Sequence, residues 1–266
     1  MNLDELLEDL WSDYTKLTPI AHEIHSMLSD RGEQISNDHI AFRTFAHPSI
    51  DITIFENFFK PFGYEKRGEY KFEAKKLNAI HLENINNSDY PKIFISELRY
   101  KELSKECISI VEREIERVKG ISLNELLEKK DIFKVSTKEY EELASDSEYA
   151  AWLCALGLRA NHFTISVNKL KSFKNLEELN KLLLQKNIPL NQSGGIIKGS
   201  PHEYLEQTST MASKVEIEFT DKIMSVPTCY YEFALRYKLS NGELFQGFVT
   251  QSADKIFEST DHELVK

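Results

Sequence analysis

The amino-terminal part of the chain places apolar side chains at helical spacing. Leucine and aromatic residues recur every three or four positions from residue 3 to about residue 30, which predicts amphipathic helices. Pro19 interrupts this pattern, and Gly32 is a natural carboxyl-terminal cap because glycine tolerates a left-handed backbone. We therefore expect helices within residues 1–35, followed by a different kind of structure.

The next segment, residues 36–100, has the alternating pattern of a β-sheet. Its polar and apolar positions predict one strand, a helix rich in phenylalanine and three further strands, in the order β-α-β-β-β. The predicted strands cover residues 38–45, 71–72, 79–82 and 92–98, and the helix covers residues 50–59. In the first of these strands His39 and Arg43 share a face, because side chains alternate along a strand.

Residues 101–158 have a helical pattern throughout. Apolar residues form a stripe over residues 108–118, and the apolar run AAWLCALGL ends the segment. Ser104 and Ser122 are suited to cap separate helices, because their hydroxyls accept hydrogen bonds from the backbone of the first turn. We interpret this segment as a helical insert between two β-rich regions, and its sequence predicts no function.

The strand pattern returns in residues 159–266, which form a second module and a carboxyl-terminal segment. The predicted strands cover residues 161–167, 196–198, 215–219 and 228–237, and the helix covers residues 173–186. This order repeats that of the first module, which indicates an internal duplication. The corresponding pieces are DHIAFRTF with NHFTISVN, and ISELRY with EFALRY.

Two such modules predict an α+β fold. Their sheets can curl into one central curved sheet around a shared concave site, with the amino-terminal helices and the helical insert outside it. The chain has 266 residues, of which 41% are hydrophobic, so it is long enough to bury a substantial core. We expect a single domain over residues 1–266.

The composition indicates which kinds of binding partner and which cellular compartment to expect for the protein. Lys and Arg number 33 and Asp and Glu number 43, so the formal net charge is -10, which disfavours a nucleic-acid partner. The three cysteines, Cys107, Cys154 and Cys229, form no CxxC pair, as is typical of reduced thiols in a cytosolic protein. Neither a secretion signal nor an apolar run long enough to span a bilayer is apparent. We expect a cytoplasmic protein without a membrane partner.

Three residues suggest a metal site. His39 and His162 each stand near the start of the first strand of a module, and Glu232 lies in the last strand of the second. Two imidazoles and one carboxylate are the ligand set of non-haem iron(II) oxygenases, which leaves positions open for substrate and O2. No HExxH, GxSxG, Walker or GxGxxG motif offers other chemistry.

Each of these residues also has an ordinary interpretation. A histidine at the start of a strand is often a polar residue without a ligand role. Glu232 lies among aromatic and aliphatic residues, where an unpaired carboxylate is unfavourable, so it needs either a metal or Arg236 on the same strand face. His81 in its strand and Glu97, which we place roughly where Glu232 stands in the second module, are weaker candidates.

Arg43 is the second informative residue. It follows His39 by four positions, so their Cα atoms are roughly 13 Å apart in an extended strand. An arginine that leans back leaves room for a short dicarboxylate, with one end on the metal and the other paired with the guanidinium. The alternative is a salt bridge between Arg43 and one of the many acidic residues.

Five segments resemble a known family when they are taken in this order. They are NDHIAFRTF, NHFTISVN, GSPHEYLEQTSTMAS, YYEFALRY and FQGFVTQSADKIFEST, and they extend from about residue 37 to residue 260. The combination resembles the 2-oxoadipate dioxygenase/decarboxylase family, also called 2-hydroxyglutarate synthases. That family has a fold like that of the vicinal-oxygen-chelate proteins.

The resemblance implies both chemistry and residues. Members of this family use iron(II) and O2 to convert 2-oxoadipate to 2-hydroxyglutarate and CO2 in lysine catabolism. The resemblance implies metal ligands at His39, His162 and Glu232, a catalytic and substrate-binding Arg43, and a substrate-binding Ser252. Manganese, nickel or zinc can occupy such a site in a purified sample. Two alternatives stay open, namely an extradiol dioxygenase or glyoxalase-type enzyme on the same fold, and a metal-binding module without catalysis.

Overall fold

The computed structural model describes residues 2–260, except for the side chains of residues 253, 254 and 257. The helices are Leu3–Leu17 (α1), Pro19–Asp30 (α2), Ile52–Phe59 (α3), Lys105–Val118 (α4), Leu123–Lys129 (α5), Thr137–Asp146 (α6), Glu148–Leu156 (α7), Leu176–Gln185 (α8) and Thr250–Phe257 (α9). The strands are Asn37–Phe45 (β1), Tyr64–Phe72 (β2), Leu77–Asn84 (β3), Lys92–Leu98 (β4), Ala160–Ser166 (β5), Lys198–Ser200 (β6), Leu205–Ser209 (β7), Lys214–Glu218 (β8), Ile223–Pro227 (β9) and Tyr230–Arg236 (β10).

The two amino-terminal helices confirm the pattern at the start of the chain. Asn2 caps α1 and forms a capping box with Glu5, and Pro19 occupies the first turn of α2, where its missing N–H has no effect. The hydroxyl of Tyr14 on α1 donates a hydrogen bond to the backbone carbonyl of Tyr230. These helices therefore pack directly on the strand that contains the predicted carboxylate ligand.

One curved sheet of eight strands contains both modules. Its order is β2-β3-β4-β1-β5-β10-β7-β6, so β1 and β5 lie at the centre, antiparallel to each other. Each module contributes four strands in mirror-related order, as expected of a duplication. Both predicted histidine ligands lie on these two central strands. The domain boundaries stay predictions, and the last six positions of the second module, residues 261–266, lie outside the described range.

The register of the sheet corrects one part of the proposed duplication. His39 pairs with Lys92 across the parallel strands β1 and β4, and His162 pairs with Tyr230 across β5 and β10. If the two histidines are equivalent, the position of Glu232 corresponds to Phe94 and not to Glu97. The match of ISELRY with EFALRY aligns Ile95 with Glu232 and is therefore wrong by one residue, and a shift of one residue moves every side chain to the opposite face of the sheet.

The second module contains the predicted strand at residues 215–219, but this strand lies outside the central sheet. The strand predicted at residues 215–219 exists as β8, but it pairs only with β9 in a separate two-stranded sheet. Its alternation of charged and aliphatic residues is equally typical of a half-exposed hairpin. The central sheet instead uses β7, whose sequence LEQTS has no such alternation because its polar side chains are buried on both faces of the sheet.

The helical insert is divided into four helices, α4 to α7. Ser104 caps α4 and Ser122 caps α5, as predicted, and Ser136 and Ser147 cap the two that follow. Among residues 2–260, no helix combines the length and the hydropathy needed to cross a bilayer. The last helix of the insert packs against β1, which places its first turn beside Arg43.

Candidate active site

Three buried side chains meet on the concave face of the sheet. The ligand atoms of His39, His162 and Glu232 all lie within 4.8 Å of one another. The Nε2 atom of His39 is 3.5 Å from one carboxylate oxygen of Glu232, and the Nε2 atom of His162 is 3.4 Å from the other. The two Nε2 atoms are 3.4 Å apart. The predicted ligand set is therefore assembled from residues that are far apart in the sequence.

The residues that precede the two histidines orient their rings. Asp38 lies with a carboxylate oxygen 2.8 Å from Nδ1 of His39, and the side-chain oxygen of Asn161 lies 3.0 Å from Nδ1 of His162. In the tautomer in which Nδ1 carries the proton, each partner accepts that proton and the Nε2 lone pair is left for a metal. Such partners are typical of metal-bound histidines, because they fix both the tautomer and the ring orientation.

The electrostatics of the cluster fit a divalent cation. Glu232 is 1% exposed, and one of its carboxylate oxygens has no hydrogen-bond partner among the described residues. Burial raises the pKa of Glu232, and the pKa of His162 is lowered well below its usual value by burial and by the charges of His39 and Arg43. A metal relieves both effects, since it neutralises the carboxylate and binds neutral imidazole.

Arg236 does not pair with Glu232, contrary to the alternative left open by the sequence. Its guanidinium donates two hydrogen bonds to the carboxylate of Asp38, at 2.7 and 2.9 Å, and two to backbone carbonyls of residues 245 and 247. Burial opposes ionisation of Asp38, but Arg236 and the hydrogen bond with His39 outweigh it and hold the pKa of Asp38 well below its usual range. Arg236 therefore acts on the cluster through the residue that orients His39.

Arg43 lies on the same strand as His39 and is 1% exposed. It donates one hydrogen bond of 3.0 Å to Glu148 and one of 2.8 Å to the hydroxyl of Thr260. The rings of Tyr149 and Trp152 lie 4.8 and 5.0 Å from the guanidinium carbon. The helical insert thus supplies an ion-pair partner, as the alternative to substrate binding foresaw. The Nε donor of Arg43, however, is buried and has no partner among the described residues.

A model of the 2-oxoadipate dioxygenase/decarboxylase family matches residues 7–134 and 124–244 of the chain. The chain belongs to this family. The chloroplastic 2-oxoadipate dioxygenase/decarboxylase of Arabidopsis thaliana is 36% identical over 258 residues, which cover 87% of this chain and 70% of that protein. The named relatives in this family are enzymes, and the sequence resemblance is confirmed.

Solved structures agree with this family and with the fold. Hydroxyglutarate synthase from Oryza sativa, in complex with 2-oxoadipate, matches with a TM-score of 0.90 and 33% identity over 97% of this chain and 92% of that chain. A Shewanella frigidimarina protein, provisionally named a hydrolase, matches with a TM-score of 0.87 and 43% identity over 94% and 98%. A Ralstonia eutropha protein provisionally assigned to the glyoxalase superfamily matches with a TM-score of 0.74 and 18% identity over 90% and 83%, which supports the fold alone.

The other predicted residues of this family member have different surroundings. Ser252 is buried on α9, where it packs closely against the backbone at Gly199 on β6. Its predicted contact with substrate stays a prediction. His81 lies outside the cluster, because its ring nitrogens lie 2.8 Å from the Tyr70 hydroxyl and 3.0 Å from Glu83. Glu97 faces away from the cluster.

Sequence reasoning missed several side chains that shape the site. Gln207 donates a hydrogen bond of 2.6 Å to Glu232, and the ring of Phe248 covers His39 at a centroid distance of 4.8 Å. Tyr230 stacks on His162 at 4.7 Å. The Asp-His and Asn-His pairs at residues 38–39 and 161–162 are the one sequence pattern that could have revealed orienting partners. Gln207 and Phe248 lie on other segments than the ligands, and no local pattern predicts how the loops between them run.

Proposed function

We propose that the protein is an iron(II)-dependent dioxygenase/decarboxylase that converts 2-oxoadipate, or a close 2-oxo diacid, and O2 to 2-hydroxyglutarate and CO2. The observation that carries the proposal is the buried His39, His162 and Glu232 cluster with Arg43 on the same strand. Membership of the 2-oxoadipate dioxygenase/decarboxylase family supports it, as does the similarity to a hydroxyglutarate synthase in complex with 2-oxoadipate.

His39, His162 and Glu232 would hold the metal. When bound, iron(II) supplies a chelating position for a 2-oxo acid and the reducing electrons that O2 activation needs. The protein contributes the orientation of the ligands through Asp38 and Asn161. The carboxylate of Glu232 also offsets part of the metal charge within a site that excludes bulk water.

Arg43 would bind the distal carboxylate of the substrate. Its buried Nε–H has no hydrogen-bond partner among the described residues, and a carboxylate pairs with a guanidinium through two such donors. Glu148 and Thr260 hold the other side of the guanidinium, so its orientation is fixed before substrate arrives. A monoacid would leave a buried donor unpaired, which disfavours its binding.

Burial protects the reaction from water. His39, His162 and Glu232 are 2%, 4% and 1% exposed, and Phe248 covers the outer side of His39. Because the substrate is itself oxidised and decarboxylated, no second 2-oxo acid is consumed. A cytoplasmic location and the absence of a nucleic-acid partner stay predictions from composition.

The metal assignment is tested by substitution of each ligand. His39→Ala, His162→Ala and Glu232→Ala should each lose iron(II) during anaerobic gel filtration while the protein keeps its circular dichroism spectrum. His81→Ala is the matched control, since this buried histidine shares the concave face but not the cluster. Full metal occupancy in any of the three variants would remove that residue from the site.

The role of Arg43 is tested with two acids of equal length. Arg43→Met should lower kcat/KM for 2-oxoadipate by about 30- to 150-fold, because a charged hydrogen-bonding partner contributes about 2–3 kcal/mol. Turnover of 2-oxohexanoate, which lacks the distal carboxylate, should change little. An equal loss of kcat/KM for both acids would show that Arg43 has a structural role and does not select the diacid.

A further inference from the structure

Tyr230 has a buried hydroxyl that the fold does not use. The residue is 0% exposed, and its hydroxyl has no hydrogen-bond partner among residues 2–260. Buried hydroxyls nearly always have a partner, because an unsatisfied polar group in a protein interior is unfavourable. An orphaned hydroxyl beside a ligand cluster therefore indicates a partner that arrives from outside the chain.

The position of Tyr230 directs this hydroxyl towards the site. Tyr230 precedes Glu232 by two residues on β10, so both side chains lie on the concave face. It also pairs in register with His162, and the two rings are stacked at a centroid distance of 4.7 Å and an interplanar angle of 25°. Because a phenol is longer than an imidazole, we expect the hydroxyl to extend past the ring of His162 on the concave face.

Two residues of the proposed diacid site influence the Tyr230 hydroxyl. Burial raises the pKa of the Tyr230 hydroxyl most, the charge of Glu232 raises it further and that of Arg43 lowers it, so both residues act on the hydroxyl through space. These two residues belong to the opposite ends of the proposed binding site for a diacid. The stack on His162 fixes the ring, so the hydroxyl is presented without a loss of side-chain freedom on binding.

The neighbouring Tyr231 also has a buried hydroxyl without a partner among the described residues, but it lies on the other face of the sheet. The residue is likewise 0% exposed. Its ring, however, packs against the amino-terminal helix and the core through Trp11, Tyr14 and Phe233. The two adjacent tyrosines therefore differ in the face that they occupy and match in residue type, burial and lack of a partner.

We propose that Tyr230 is a further catalytic residue, whose hydroxyl donates a hydrogen bond to the 2-oxo carboxylate end of the substrate. This inference rests on the proposed function. The 2-oxo end is favoured over the distal end, because Tyr230 stacks on a metal ligand while Arg43 is available for the distal carboxylate. Keto and carboxylate oxygens that chelate a metal keep further lone pairs, and a neutral phenol can donate a hydrogen bond to them.

The test compares Tyr230→Phe with Tyr231→Phe in the iron(II)-loaded protein without O2. Calorimetry measures the Kd of 2-oxoadipate and of 2-oxohexanoate, and a separate titration measures iron(II) affinity. For Tyr230→Phe we expect Kd to rise about 5- to 15-fold for both acids, with unchanged iron(II) affinity. For Tyr231→Phe we expect no change in any of the three values.

Three outcomes would overturn the inference. Unchanged acid affinity in Tyr230→Phe would show that the hydroxyl does not contact substrate. A loss of affinity in Tyr230→Phe for 2-oxoadipate alone would show that the hydroxyl contacts the distal carboxylate and not the 2-oxo end. Failure of the unsubstituted protein to bind either acid would refute the proposed function itself, and that failure is recognised before any variant is made. Both substitutions keep the ring and remove an unpaired hydroxyl, so thermal unfolding should confirm that both variants are folded.

Discussion

Replacement of Arg236 by methionine should strongly destabilise the metal-free protein. Arg236 and Asp38 form an ion pair whose side chains are 3% and 4% exposed, with hydrogen bonds of 2.7 and 2.9 Å. The substitution keeps an apolar side chain of similar length and removes the charge. It leaves the carboxylate of Asp38 buried, with His39 as its remaining side-chain hydrogen-bond partner among residues 2–260.

The expected loss follows from this burial. Breaking a buried pair by removal of one partner costs about 3–5 kcal/mol, because an uncompensated charge stays inside the protein. In the unsubstituted protein the pKa of Asp38 lies well below its usual value, so its stabilisation is present near neutral pH and is lost as pH falls through that pKa. In Arg236→Met, burial acts without the guanidinium and raises the pKa of Asp38. Protonation then relieves the penalty, and the difference in stability should narrow from pH 7 to pH 4.

Urea unfolding of the two metal-free proteins, followed by circular dichroism, measures this difference at each pH. Comparison of the double variant Arg236→Met/Asp38→Asn with the two single variants measures the interaction energy between these residues, apart from the effect of each substitution alone. Lys66→Met is a surface control, since its pair with Glu69 is solvated, and it should not move the unfolding midpoint. A loss below about 1 kcal/mol, or a loss independent of pH, would refute the assignment of a buried, charge-stabilised pair.

Two further predictions concern the cluster and its cover. Glu232→Gln should abolish iron(II) binding. It should also make the metal-free protein more stable than the unsubstituted one at pH 7 by about 1 kcal/mol, because burial raises the pKa of Glu232 and so penalises its ionised form. The gain should vanish as pH falls below that pKa, and denaturant unfolding at pH 7 and pH 4 checks it; lower stability at pH 7 would contradict it. Phe248→Ala should speed the release of iron(II) to a chelator, since this ring covers His39 at 4.8 Å, and an unchanged release rate would show that Phe248 does not close the site.

The order of elements could be read from the sequence because each module follows a strong local pattern. The amino-terminal helices, β1, α3 and β5 all lie where periodicity predicts them. The assignment of β7 failed because its side chains are polar although they are buried. Its neighbours at the concave face supply hydrogen-bond partners that a sequence pattern does not reveal.

The ligand cluster was predictable from equivalent positions in the two modules. His39 and His162 stand on the neighbouring strands β1 and β5, and Glu232 stands on β10, which adjoins β5. The shift of one residue between ISELRY and EFALRY was not visible, because both pieces end in the same Leu-Arg-Tyr triplet. Only the hydrogen-bond register distinguishes Phe94 from Glu97 as the counterpart of Glu232.

The surroundings of Arg43 show the limit of reasoning from one strand. Its spacing from His39 predicted a substrate carboxylate, and an acidic partner was the stated alternative. The structure brings Glu148 to it from the helical insert, a segment whose sequence predicted no function. Contacts of this kind depend on how distant helices dock, so they follow from tertiary structure and not from periodicity.

The central claim is tested most directly by anaerobic reconstitution with iron(II), followed by addition of 2-oxoadipate and O2. The account predicts that O2 consumed, CO2 released and 2-hydroxyglutarate formed are equal in amount, and that His162→Ala forms none of the products. Bound iron without O2 uptake for 2-oxoadipate or any shorter or longer 2-oxo diacid would contradict the account, and it would leave only the metal site standing.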